Sequence, residues 1–192
     1  MAQLRGIAPL AQHLKWTYED FLLFPDDGKR HELIDGAHIM SPSPFTKHQQ
    51  ILGNLFAVIK IFLKNHRIGE VFIAPMDVVL SNFNVVEPDM FFIASEHASI
   101  ITEKHIVGVP DLVVEILSAG SRKTDEIIKR RLYEQYGVKE YWIIDPELEL
   151  IKVYRMGVAG FIRVAELSVE QGGTLTTPLL PELIIPLSEI FE

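Results

Sequence analysis

The stretch PDLVVEILS, from Pro110 to Ser118, constrains the fold more than any other part of the chain. A short run rich in Val and Ile, bounded by Pro and Ser, is typical of a strand whose two faces are both buried. Such a strand needs packed layers on both sides of its sheet. Glu115 interrupts the run, and an ionised carboxylate is costly to bury alone. Glu115 is therefore either paired in a structural network or used to hold a ligand.

A second acid raises the same alternatives. Asp89 follows Pro88 in the apolar segment NVVEPDMFFIA, which precedes PDLVVEILS along the chain. If the two segments are neighbouring strands, Asp89 and Glu115 open onto one cleft, and converging carboxylates suit Mg²⁺ or Mn²⁺. The alternative is a buried ion-pair network with Lys129 or Arg122, because buried acids are usually paired.

Two segments with helical periodicity are predicted, one before these strands and one after them. Apolar residues recur at helical spacing from Thr46 to Arg67 and predict a long helix. Residues 121–136 predict a second helix that ends before Gly137. On this helix Lys129 lies at the border of the apolar stripe, near Asp125. Lys129 therefore either extends its ammonium to solvent at the edge of the helix or takes part in a functional site. Asp125 is expected either to cap the helix or to brace Lys129.

The remaining pattern completes a layered domain. HELIDGAHIM predicts a hairpin around Asp35 and Gly36. GEVFIAPMDVVLS, residues 69–81, and NVVEPDMFFIA, residues 84–94, each predict one strand, and further strands are predicted on both sides of the 121–136 helix. We therefore expect a mixed α/β layer fold with one connected sheet, formed by a single domain over residues 17–192 behind an N-terminal arm of residues 1–16. His48, at the start of the long helix, is expected to be structural, although it could face the cleft.

Composition limits the classes of function. The 192 residues are 48% hydrophobic, carry a net charge of −8 at pH 7 and include no cysteine. This charge argues against non-specific coating of nucleic acid, but a nucleic-acid enzyme with a metal site stays possible. The chain shows no signal-peptide pattern and no uncharged stretch of membrane-spanning length. Without cysteine, a reducing compartment is the simplest interpretation, so we expect a cytoplasmic protein.

Several motifs resemble a known enzyme superfamily. EPD followed by EIL resembles the PD-(D/E)XK nucleases, although that short pattern is weak. The run P-D-x-V-V-E-I-L-S, then D-x-x-x-K-x-x-x-Y, then G-V-x-E-Y-W-I-I-D, is specific and resembles the Uma-two branch of that superfamily. The resemblance spans residues 17–190. It implies a restriction-endonuclease-like fold, an α/β architecture with a mixed central sheet flanked by helices.

The resemblance also implies site residues. Asp89 and Glu115 match the two acidic metal ligands, and the backbone carbonyl of Ile116 matches a third ligand. Leu117 stands where the superfamily usually has its lysine. The Uma-two branch carries that lysine on the following helix, where Lys129 matches it.

Glu32, in HELIDG, matches an extra acid that can approach the metal. The alternative for Glu32 is charge pairing within the hairpin, with Lys29 or Arg30. The catalytic set implied by the resemblance is therefore Glu32, Asp89, Glu115 and Lys129.

These inferences predict a Mg²⁺- or Mn²⁺-dependent endonuclease-like phosphodiesterase acting on DNA. The alternative is a nuclease-derived nucleic-acid-binding or accessory protein that no longer cuts. We also expect a homodimer, because Tyr141, Trp142, Phe161 and the proline-rich tail offer more apolar surface than one small fold readily covers.

Overall fold

The computed structural model of the chain describes residues 15–25, 27–41, 45–118 and 120–192. Most of the predicted N-terminal arm, residues 1–14, lies outside the described residues. Within the described part of the chain, no helix is long and apolar enough to cross a membrane.

Strands dominate the structure, and the helices are few. The α-helices are α1 (Tyr18–Phe21), α2 (Thr46–His66), α3 (Arg130–Tyr136) and α4 (Leu187–Phe191), with a 3₁₀ helix at Ser95–Ile100 and a π-helical segment at Thr124–Lys129. The strands are β1 (Arg30–Ile34), β2 (Ala37–Ser41), β3 (Gly69–Ile73), β4 (Val78–Ser81), β5 (Asn84–Val86), β6 (Met90–Ala94), β7 (Ile106–Val107), β8 (Leu112–Ile116), β9 (Glu140–Asp145), β10 (Leu150–Gly157), β11 (Gly160–Ser168), β12 (Thr174–Leu175) and β13 (Ile185–Pro186).

The central sheet is mixed, as the sequence predicts. Its six strands run in the order β11-β10-β9-β8-β6-β3. Strands β8 and β9 are parallel, whereas β6 pairs with β8 in the antiparallel sense. Every residue of β8 is buried, which confirms that PDLVVEILS forms a central strand covered on both faces.

The expectation of one connected sheet is wrong. A separate five-stranded sheet has the order β2-β1-β5-β4-β7. Segments 69–81 and 84–94, each predicted as one strand, both divide, and their halves lie in different sheets. Pro75 lies in the first break and Pro88 in the second, where a residue without an N–H cannot continue a ladder. The second break places residues 87–89 at the junction of the two sheets.

Helices cover both faces of the central sheet. On one face, Leu55 and Ile59 of α2 pack with Val114 and Trp142. On the other face, the α3 side chains pack against a second apolar cluster that contains Tyr141. The tail covers the α2 side through the buried residues Leu180, Leu183, Leu187 and Ile190.

This packing removes part of the argument for a dimer. Tyr141 and Trp142 are fully buried within one chain, and Phe161 stacks on Tyr141. Tyr141 and Trp142 leave no apolar surface for a partner, and Phe161 is only partly buried, so the predicted homodimer would have to rest mainly on other residues.

Candidate metal and catalytic site

The structure brings Asp89 and Glu115 together. In the antiparallel β6–β8 pair, Met90 lies opposite Val114, so Asp89 and Glu115 occupy the next position of the same register. Both side chains are buried and line one cavity of about 170 Å³. Two separate segments of the sequence therefore contribute one acid each to the same cleft.

Lys129 joins the acids in this cavity. Its Nζ lies 2.8 Å from Glu32 Oε1, 2.9 Å from Glu115 Oε1 and 3.9 Å from Asp125 Oδ1. Tyr133 also donates its hydroxyl hydrogen to Glu115 Oε1, at 2.8 Å. The Lys129 side chain is 6% exposed, so a lysine extended to solvent is excluded.

Glu32 is held by partners outside its hairpin. One oxygen accepts from the backbone N–H of Glu87 and also faces Lys129. Pairing with Lys29 or Arg30 is therefore not the arrangement. Leu117, at the position of the usual strand lysine, is buried in the apolar cluster beside α3. The ammonium group of this cavity therefore comes from the helix that follows β8.

The two oxygens of Asp89 have different partners. Oδ2 accepts from His48 Nε2 at 3.0 Å and from the backbone N–H of Ile116 at 2.8 Å. Oδ1 accepts from Arg30 Nη1 at 2.5 Å. Ile116 thus contacts Asp89 through its backbone amide, and Ile116 is also one of the residues that line the cavity. Arg122, the other predicted cation, pairs instead with Asp145 at 2.7 Å.

Local helix geometry sets the position of Lys129. The backbone N–H of Arg130 donates to the carbonyl of Asp125, five residues back, which is the pattern of a π turn. The Asp125 carbonyl also accepts from the Tyr141 hydroxyl at 3.1 Å. Asp125 and Lys129 both lie in this segment, and both are buried. A wider turn, braced by a core tyrosine, thus directs both side chains into the cavity.

Among the described residues that line the cavity, acidic side chains outnumber permanent cations. Five carboxylates line it, together with two permanent cations, Arg30 and Lys129. Burial raises the pKa of Asp125 to about 6 and that of Glu87 to about 7, although Lys129 and Arg30 respectively act to lower them. The carboxylates are Glu32, Glu87, Asp89, Glu115 and Asp125.

Lys129 is held in its charged form. Burial acts to lower its pKa, but the charges of Glu115, Glu32 and Asp125 outweigh that effect, so the pKa lies well above its usual value. Burial raises the pKa of Glu115 well above its usual value, only partly offset by Lys129. For Asp89, burial acts to raise the pKa, but His48 and Arg30 lower it overall.

Sequence reasoning missed two members of this cavity and underrated a third. Arg30 and Glu87 were not predicted, and His48 was expected to be structural. A usable signal was present in the spacing: Arg30 precedes Glu32 by two residues, and Glu87 precedes Asp89 by two. Residues two apart along an extended chain share one side.

A second acidic group lies elsewhere and differs in kind. Among the described residues, Glu96, His97 and Asp111 bring three possible metal-ligand atoms within 4.8 Å of one another. Asp111 already accepts from the backbone N–H of Ala94 and from His97, and it lies 2.9 Å from Lys139 Nζ. This carboxylate is saturated by protein groups, as expected of a structural network.

Comparison with known proteins places the chain in a family. Residues 18–188 match the model of the Uma2 family, which is described as “Putative restriction endonuclease”. The chain belongs to the Uma2 family. The match covers the cavity and all the strands of the central sheet. Membership supports a nuclease-like function for this Uma2 protein, at the level of that description.

A solved structure shows the same fold. The crystal structure of a “putative nuclease belonging to DUF820” from Anabaena variabilis is similar with a TM-score of 0.76. Its sequence is 23% identical, and the comparison covers 91% of this chain and 97% of that chain. The likeness confirms the restriction-endonuclease-like fold of this Uma2 protein. A search of curated proteins found no match.

Proposed function

We propose that this Uma2 protein is a metal-dependent endonuclease-like phosphodiesterase that acts on DNA. The observation that carries the proposal is the surplus of buried carboxylates over cations in a single cavity, within a fold and family described as nuclease-like. Buried charge without a partner destabilises a core, so a surplus of this kind points to a ligand of opposite charge.

The residues present fit a divalent cation. Carboxylate and carbonyl oxygens are the ligands that Mg²⁺ and Mn²⁺ prefer. Glu87 Oε1 is buried and accepts no hydrogen bond within the described residues. Asp89, Glu115 and the Ile116 carbonyl would hold the cation, and Glu32 would complete its shell. A bound cation would polarise the scissile phosphate and lower the pKa of a water.

Lys129 would act as a charged donor rather than as a base. Because neighbouring carboxylates raise its pKa, it keeps its proton throughout the neutral range. Its ammonium would position the attacking water and offset the negative charge that develops on the phosphate in the transition state. Asp125, four residues away, would brace the ammonium from the helix side.

DNA, magnesium, a cytoplasmic location and a homodimer are the finer parts of this proposal. A second cavity of about 360 Å³ adjoins the first and shares Phe45, His48 and Ser118 with it. Lys47 and Arg122 also line it, so a strand of DNA could continue from the acids toward these cations.

The alternative is a nuclease-derived accessory protein that does not cut. One observation favours it: Arg30 and Lys129 already pair with Asp89 and Glu115, so these two acids form ion pairs without any metal. The net charge of −8 also gives no general attraction to DNA.

The experiment that separates the two functions is a cleavage assay on supercoiled, linear duplex and single-stranded DNA, with Mg²⁺, with Mn²⁺ or with a chelator. The nuclease proposal predicts metal-dependent cleavage by the wild type and none by Asp89→Asn. Asp111→Asn is the matched control for a buried aspartate outside the cavity, and its folded fraction should still cleave. Cleavage that survives in Asp89→Asn would refute the assigned site, and DNA binding without cleavage of any form would favour the accessory protein.

A further inference from the structure

The two carboxylate oxygens of Asp89 differ in how firmly their hydrogen-bond partners are held. Arg30 donates to the oxygen whose partner is a flexible side chain. Oδ2 is bound by His48 and by the backbone amide of Ile116, both of which belong to rigid elements. Oδ1 is bound only by the Arg30 guanidinium among the described residues. A cation that used Asp89 would bind Oδ1, because the groups on Oδ2 are fixed by α2 and β8. There it would compete with the Arg30 guanidinium for the same oxygen and be repelled by its charge.

The two cations of the cavity are not equally free to move. The Lys129 side chain is 6% exposed and lies among three carboxylates. The Arg30 side chain is 22% exposed. Its Nε lies 3.2 Å from Glu87 Oε1, without forming a hydrogen bond to that oxygen. Arg30 can therefore rotate away from Asp89 and stay near Glu87.

We propose that Arg30 is a placeholder that exchanges partners: in the free protein it occupies the metal-binding oxygen of Asp89, and in the complex it binds a DNA phosphate. The inference rests on the proposed metal-dependent nuclease function and adds a substrate-binding residue to it. Metal binding and DNA binding are then coupled, so that each ligand strengthens the other.

The coupling follows from the cost of leaving a guanidinium unpaired. Without DNA, a cation entering the site removes Asp89 from Arg30, and a partly buried charge loses its hydrogen-bonded partner. With DNA present, a phosphate replaces the carboxylate, and guanidinium suits the two oxygens of a phosphate as well as those of a carboxylate. The linkage is reciprocal by thermodynamic necessity.

Calorimetric titration of Mn²⁺, with and without a short duplex oligonucleotide, tests this exchange. The chain would carry Lys129→Met so that the DNA stays intact. DNA should tighten Mn²⁺ binding by on the order of tenfold in this protein. Adding Arg30→Met should tighten Mn²⁺ binding in the absence of DNA and reduce the further gain from DNA, because only the phosphate that contacts the cation then contributes to it. Equal DNA-induced gains with and without Arg30 would overturn the exchange.

Arg155→Met is the matched control, because Arg155 Nε pairs with the buried Glu140 at 2.9 Å outside the cavity. It should leave the Mn²⁺ affinity and the effect of DNA unchanged. If Arg30→Met does not fold, Arg30→Lys keeps the charge but lacks the planar fork, and it should reduce the DNA-induced gain. An unreduced gain in Arg30→Lys would then overturn the exchange. No Mn²⁺ binding by any variant would instead refute the proposed metal site itself.

Discussion

At the scale of single residues, the cavity contains acids with contrasting ionisation. Asp89 has a lowered pKa because His48 and Arg30 outweigh its burial, whereas burial raises the pKa of Asp125 and Glu115. Acids whose environments separate their pKa values are typical of catalytic and metal sites. The ion pairs of Lys129 keep this arrangement stable without a ligand.

Asp125→Asn should change how stability depends on pH. Burial raises the pKa of Asp125 from 3.8 to about 6 in the folded protein. The stability that the protonated carboxyl contributes is fully present below 3.8 and is lost as the pH rises through about 6. Asn cannot ionise, so the variant should gain stability relative to wild type over this window, by on the order of 1–3 kcal/mol. Urea unfolding at a series of pH values measures it, and a pH-independent difference would count against it.

Lys129→Met should separate stability from catalysis. Removing the ammonium leaves Glu32 and Glu115 buried without their partner, which should cost about 3–5 kcal/mol of stability without metal. Mn²⁺ should bind as tightly as in wild type or more tightly and should restore stability by mass action. DNA cleavage should be lost.

Lys152→Met is the control for that variant, because Lys152 pairs with Glu126 at 2.7 Å away from the cavity. It should retain cleavage and lose little stability. Thermal shift with Mn²⁺ and a cleavage time course on the same samples measure both properties. Full cleavage by Lys129→Met would show that the lysine assignment is wrong.

At the scale of elements, periodicity predicted what is local. The long helix from Thr46, the hairpin at Asp35 and the buried strand β8 all follow from short-range patterns, and all are present. The split of segments 69–81 and 84–94 between two sheets was not predicted, because strand pairing depends on distant partners. From the sequence, Asp89 and Glu115 could be predicted to share a cleft only on the assumption that their two strands are neighbours.

Asn84 connects the elements that carry the cavity residues. Its side-chain oxygen accepts from the backbone N–H of Asp35 at 2.8 Å, and its amide donates to the hydroxyl of Tyr136 at 3.0 Å. Asn84→Ala should cost about 1–3 kcal/mol, because it removes the hydrogen bonds of the buried Asn84 side chain to Asp35 and to Tyr136. Urea unfolding measures this cost. Asn82→Ala, at an exposed asparagine two residues before Asn84, should cost little, and equal losses in both variants would exclude the proposed cause.

At the scale of the whole molecule, the cavity lies where two sheets and a helix meet. Glu32 comes from one sheet, Glu115 from the other, and Lys129 from the segment that precedes α3. The two-residue spacing puts Arg30 on the side of Glu32 and Glu87 on the side of Asp89. The pairing of Arg30 with Asp89 depends on tertiary packing, which the sequence does not show. The acids and the lysine within recognisable motifs were predictable, and Arg30, the counter-ion of Asp89, was not.

The homodimer stays a prediction with a different interface. β11 is an edge strand of the central sheet, and its Ile162 and Val164 are 59% and 45% exposed. An exposed apolar edge strand is a ready partner for a second copy. Light scattering should give twice the chain mass of 21.8 kDa, and Ile162→Lys should lower it. A wild-type particle of one chain mass across micromolar concentrations would contradict the dimer.

The claim that the surplus of carboxylates is a divalent-cation site is tested most directly by calorimetric titration of Mn²⁺ into the wild type, Glu115→Gln and Glu140→Gln. Glu140 is an equally buried glutamate, but it pairs with Arg155 outside the cavity. We predict one Mn²⁺ site in the wild type, its loss in Glu115→Gln and its retention in Glu140→Gln. The same isotherm for wild type and Glu115→Gln would contradict the claim.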